Sequence, residues 1–241
     1  LDPTLPETAR WWTERLGSFV DRYRIDGIKL DRGEEHIPTA ASDLWADGRN
    51  GREVRNDYPR LQAKIHHDAM AAARSDDFLV ITRSGYTGTA AWAIAWGGDT
   101  AGSETFGFGA GTDLGLRGAI ISQQRVAFLG YPVWGSDTGG YYQFKDREVF
   151  ARWLQFSAFS GIMEIGGTGG AHAPWDMPTE PRYDEEMIEI YRRYTHLREE
   201  LRPRLEASAA EARRSGLPIV RPLVFGFRDD PAVADRWDQY L

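Results

Sequence analysis

In Asp26-Gly27-Ile28-Lys29-Leu30-Asp31 a turn dipeptide feeds a short strand-like run that stops at a carboxylate. The residues before it, 6 to 24, carry Trp12, Leu16, Phe19, Val20 and Tyr23 at spacings of three and four, which predicts a helix with one apolar face. The same alternation continues outward. A polar loop over residues 32–56 leads to a helix from Tyr58 to about Arg74, then to the strand Phe78-Leu79-Val80-Ile81-Thr82, ending at Arg83. A second apolar run, Ala91 to Trp96, ends at Gly97-Gly98-Asp99. Past a Gly-rich loop (101–111), a helix over 114–129 precedes a strand from Tyr131 to Trp134, which ends in Gly135-Ser136-Asp137. A helix over 146–159, a strand over 162–165 and a long helical region over 184–214, with a break expected at Pro203, complete the series. Residues 217–227 read as β. Five apolar runs alternating with helices predict βα units and a parallel sheet, as in a doubly wound α/β fold or part of a (β/α)8 barrel. No Gly-x-Gly-x-x-Gly turn follows a strand and no Walker-type loop occurs, which weakens a nucleotide-binding reading.

Composition narrows the partners. A net charge of −7 argues against nucleic acid, which favours a basic stripe. No apolar run approaches the roughly 18 residues of a membrane span. The 9 Trp, 10 Tyr and 11 Phe suit either a large core or a surface that stacks sugar rings. With no cysteine, disulfides, thiolate nucleophiles and Cys-based zinc sites are excluded, and both a reducing cytoplasm and export stay open.

The chemistry collects at one kind of position. Asp31, Arg83, Asp99 and Asp137 stand at or just past the C-terminal ends of successive predicted strands, the end that carries the active site in a (β/α)8 barrel. One Asp there is commonly a helix cap or turn residue; four polar residues at equivalent places form a pattern. Two carboxylates facing one cleft are the minimum equipment for glycoside hydrolysis, one giving a proton to the leaving oxygen and the other attacking or holding an oxocarbenium-like centre. A metal-dependent hydrolase is the nearest enzyme rival. The histidines oppose it, because His66 and His67 are adjacent on a predicted helix and point about 100° apart.

The motifs around these residues resemble glycoside hydrolase family 31. Asp26-Gly27-Ile28-Lys29-Leu30-Asp31-Arg32-Gly33-Glu34 is similar to the family's nucleophile segment, Thr82-Arg83-Ser84 to its Arg-Ser motif, Trp96-Gly97-Gly98-Asp99 to its acid/base segment, and Ser136-Asp137-Thr138-Gly139-Gly140 to its substrate-binding Asp. The resemblance implies a partial (β/α)8 barrel over residues 1–215, about its last five strands, followed over 216–241 by the start of a C-terminal β region. It places the first three strands outside this sequence. It implies a retaining exo-α-glycosidase for terminal α-glucosidic or α-xylosidic bonds, with Asp31 as nucleophile and Asp99 as acid/base, acting on an α-glycoside or oligosaccharide without metal or organic cofactor. Lys29, Arg83, Trp96, Asp137 and His172 would hold the sugar, and Glu34 would support the Asp31 loop. Arg32-Gly33 departs from the Met-Asn of many α-glucosidases, while Lys29 with Gly97-Gly98 is closer to the α-xylosidase-like members. A transglycosylase is a close variant, and a non-catalytic carbohydrate-binding or degenerate barrel is the alternative from another class.

Overall fold

The computed structural model describes residues 1–35, 40–100, 102, 115–141, 147–166 and 183–241. Five strands lie in one sheet in chain order: β1 (Gly27–Leu30), β2 (Leu79–Thr82), β3 (Ile94–Trp96), β4 (Trp134–Asp137) and β5 (Ile162–Glu164). Parallel pairing in chain order is what successive βα units produce, each helix carrying the chain back to the start of the next strand. Packing divides the chain inside β3, into residues 1–95 and 96–241.

In the first body, α1 (Pro6–Tyr23) begins with Pro at its first position and ends where Arg24 turns left-handed, its N–H returning to Val20 O. α2 (Gly51–Val54) is a single turn inside the loop expected over 32–56, fixed by a reciprocal cap between Asn50 and Glu53. α3 (Asp57–Arg74) packs on α1 and on the sheet. Val20, Leu30, Ala63, Met70, Val80 and Ala93 form the core, with Ile28 and Phe78 against it. The stripe α1 buries is narrower than its spacing predicts, because Phe19 and Tyr23 stay exposed and lie against each other, 5.0 Å between ring centroids. His66 and His67 are helix-packing residues. The His66 ring is buried, meets the Trp12 edge and bonds Gln62 O through Nδ1 at 2.8 Å; burial lowers its pKa against the opposing pull of that bond. His67 contacts Phe78 and Trp92 edge-on.

The register explains which side of β1 is chemical. Ile28 pairs with Val80, and both touch the helices; Lys29 pairs with Ile81, one residue on, and so projects from the opposite face. Asp31 and Arg83 follow in the same alternation.

In the second body, α4 (Leu116–Phe128) precedes β4, and α5 (Arg147–Ala158) precedes β5. The strand expected over 131–134 lies three residues later. Gly135, Ser136 and Asp137 are strand residues paired with Ile162, Met163 and Glu164. All of β4 is buried, so its polar composition hides it from a search for apolar runs. Ser136 receives the Trp153 indole N–H at 2.9 Å, and Gly135 lies where a Cβ would strike the Ile162 backbone. Pro203 does not break the long helix: α6 runs from Glu185 to Ser215, capped by Asp184 and ended at Gly216 with φ 75°. Phe150, Leu154 and Met187 form the α5–α6 core. Arg198 of α6 donates to the carbonyls of Ala158, Ser160 and Gly161, closing the turn between α5 and β5. Residues 217–227 are not a strand. They hold a 3₁₀ turn at Leu223–Phe225, and β pairing is confined to the single bridge Pro222–Tyr240. Among the described residues no helix is long and apolar enough to cross a membrane.

Candidate active site

In the first body the candidate residues stand at the ends of β1 and β2. Asp31 follows the last residue of β1, and its side chain is 62% exposed. Its Oδ1 accepts the Arg32 amide N–H at 2.9 Å and is ion-paired with Arg83 Nη1 at 3.0 Å. The other oxygen, Oδ2, receives no donor from the described residues. Arg83 reaches Asp31 because its backbone N–H continues the parallel ladder to Leu30 O at 3.0 Å, and its side chain is only 9% exposed. The same guanidinium contacts Glu34 and, at 2.9 Å, Glu35 Oε1. Arg83 is therefore enclosed by three carboxylates, and Glu35 also binds Arg32. A guanidinium fork matches carboxylate oxygens two at a time, which fixes direction as well as charge.

The loop that makes this possible is conformationally demanding. Arg32 has φ 67° and Gly33 φ 98°. A Cβ on Gly33 would stand 2.5 Å from Gln62 Oε1 and 2.6 Å from Ser84 Oγ, so any other residue there forces its neighbours to move. Ser84 closes the loop by donating to Arg32 O at 2.8 Å, and Thr82 in turn donates to Ser84 O at 2.7 Å. Lys29 is exposed on the same strand face as Asp31.

The second body carries Trp96, Asp99 and Asp137. Trp96 ends β3 and is 4% exposed, and Asp99 follows through Gly97 and Gly98 with φ 70° at Gly98. Gly97 is required by the Trp134 indole, whose Cζ2 would lie 2.8 Å from a Cβ there. Asp137 is 2% exposed at the end of β4. Its backbone O accepts Gly140 N–H at 2.9 Å, and Thr138 N–H bonds Glu164 O at 2.7 Å. Gly166, two residues past β5, sits where a Cβ would be 3.2 Å from Asp137 Oδ1 and so leaves room for that carboxylate. Thr138 Oγ1 donates to Ser157 Oγ at 2.9 Å and secures the turn.

Asp31, Glu34 and Arg83 are thus joined in one cluster, whereas His172 lies outside the described residues. Arg83, expected on the sugar, is engaged with the carboxylates of Asp31, Glu34 and Glu35. Glu35, Gln62 and Gly166 carry no motif signal. Glu35 differs from Glu34 only by falling one residue further on, and its partner Arg83 is 48 positions away.

With parallel βα units and acidic residues at the strand ends, the architecture is that of a (β/α)8-type glycosidase domain. The family model for the TIM-barrel domain of glycosyl hydrolases family 31 matches residues 1–206, and the chain belongs to glycoside hydrolase family 31. It is 31% identical to the 1,3-alpha-isomaltosidase of Kribbella flavida, over all of this chain and 32% of that protein. It is also 31% identical to the alpha-xylosidase of Saccharolobus solfataricus, over 96% of this chain and 31% of that protein. The solved cycloalternan-degrading enzyme from Trueperella pyogenes, in complex with a covalent intermediate, superposes with a TM-score of 0.85 at 28% identity, covering all of this chain and 32% of that one. The chain spans about a third of the length of the curated relatives it matches.

Proposed function

We propose that the protein is a retaining exo-α-glycosidase that hydrolyses terminal α-glucosidic or α-xylosidic bonds by double displacement. In this reading residues 1–215 belong to the catalytic barrel and 216–241 begin a following β region. The carrying observation is the asymmetry of Asp31: the Arg32 N–H and the Arg83 guanidinium converge on Oδ1, while Oδ2 receives neither a hydrogen bond nor an ion pair from the described residues. A carboxylate held this way has one oxygen to anchor it and one to attack with. Asp31 Oδ2 forms a bond to the anomeric carbon as the bond to the leaving oxygen breaks, and Asp99 gives that oxygen its proton. Asp99 then takes a proton from water, the water oxygen bonds to the same carbon, and Asp31 leaves as carboxylate. Two inversions give net retention. Lys29, Trp96 and Asp137, together with His172, would hold the sugar, and Glu34 supports the loop. The complex of the Trueperella pyogenes enzyme with a covalent intermediate supports a double-displacement route.

Proton NMR of the first-formed sugar tests the reading in the full-length protein: the α-anomer is expected, and the β-anomer would overturn it. Asp31→Ala should lose at least about 10⁴-fold in rate, about 5 kcal/mol of barrier. Asp99→Ala should be milder on a glycosyl fluoride, whose leaving group needs no proton; equal failure of both variants on the fluoride would refute the division of roles.

A further inference from the structure

We propose that Glu35 is a positioning residue for the nucleophile, acting through the two arginines that contact Asp31; this rests on Asp31 being the attacking group. Both contacts to Asp31 Oδ1 come from residues that Glu35 holds. One is the backbone N–H of Arg32, whose guanidinium binds Glu35 Oε2. The other is Arg83 Nη1, whose Nη2 is 2.9 Å from Glu35 Oε1. Glu35 thus bridges the two guanidiniums with its two oxygens.

The bridge has a mechanical consequence at each end. Arg32 sits at φ 67°, a left-handed conformation that a long side chain adopts at a cost, so it needs an outside restraint to stay. Its ion pair with Glu35, three residues on, ties the two ends of this turn together. At the other end, Arg83 can present Nη1 to Asp31 in only one rotation of its planar fork, and Glu35, with Glu34, engages the neighbouring nitrogen and holds that rotation. Glu34 shares Nη2 with Glu35 but does not bind the Arg32 guanidinium, so among the described residues the link between the two Asp31 contacts runs through Glu35. An attacking oxygen displaced by about 1 Å can lose on the order of 100-fold in rate.

The experiment uses the full-length protein with an aryl α-glycoside. Glu35→Ala should lower kcat by about 10–100-fold while KM changes by less than about twofold. Glu35→Asp, which keeps the charge, should recover part of the loss. Arg32→Ala retains the backbone donor but loses the tie, so the Glu35→Ala/Arg32→Ala double variant should fall no further than Glu35→Ala alone. Wild-type kcat in Glu35→Ala would overturn the proposal. So would a rise in KM at constant kcat, which marks a sugar contact, or additive losses in the double variant. Covalent trapping of wild-type enzyme keeps the two claims apart. Label absent from Asp31 sinks the nucleophile reading, whereas label on Asp31 with an indifferent Glu35 sinks only this proposal.

Discussion

Replacing Gly33 by Ala tests whether the Asp31 loop has its shape for steric reasons. The substitution does two things at once. It places a Cβ at φ 98°, and it drives that carbon to 2.6 Å from Ser84 Oγ and 2.5 Å from Gln62 Oε1. Gly48 separates the two effects, since it has φ 85° and nothing within 4 Å of where a Cβ would stand. Gly48→Ala should therefore show the backbone cost alone, about 1–2 kcal/mol. Gly33→Ala should add an overpacking cost of about 1–3 kcal/mol, for a total of about 2–5 kcal/mol. Gln62 can swing its amide aside, but Ser84 is short and bonded to Arg32 O at 2.8 Å, so relief comes by moving the loop. Urea unfolding and aryl α-glycoside kinetics on the full-length protein read both consequences. Gly33→Ala should be less stable than Gly48→Ala and lose activity that Gly48→Ala keeps, and adding Ser84→Ala should return part of the stability. Equal stability losses with full activity in Gly33→Ala would refute the steric argument.

Arg198→Met should cost about 2–3 kcal/mol in urea unfolding, because it strands the carbonyls of Ala158, Ser160 and Gly161; a change under about 0.5 kcal/mol would show they find water instead. Burial lowers the pKa of His66 from its ordinary 6.5, so the unfolded chain takes up a proton there more readily than the folded one. Its contribution to stability is full above pH ~6.5 and is lost as pH falls below that value. Thermal melts from pH 7.5 to 5 should therefore show a shallower decline in His66→Gln than in wild type, and identical slopes would contradict this. Lys29→Ala should change the ratio of activities on aryl α-xyloside and α-glucoside, and an unchanged ratio would remove Lys29 from specificity.

The alternation of helices and short strands was legible because period-3.6 and strand-like runs survive in the apolar residues of α1, α3, α5 and β2. β4 escaped correct placement because both its faces are buried through Gly135, Ser136 and Asp137, which pair with β5 and, at Ser136, accept the Trp153 indole N–H rather than present an apolar run. Pro203 lies within a 31-residue helix, where the flanking turns hold it despite one missing backbone donor. The tail after Gly216 reads as β from its apolar residues, yet it has one bridge partner, at Tyr240. At the site, Asp31, Glu34 and Arg83 were legible as strand-end residues of a known family pattern. Glu35 was not, since its meaning depends on the fork of Arg83 and on the left-handed turn at Arg32, neither of which leaves a periodic mark.

The most direct test of the central claim is covalent trapping of the full-length protein with a slow-turnover 5-fluoro α-glycosyl fluoride, followed by peptide mass spectrometry. The account predicts one glycosyl adduct on the peptide that contains Asp31, absent in Asp31→Asn. An adduct on another carboxylate, or turnover of the reagent to an inverted product with no adduct, would contradict it.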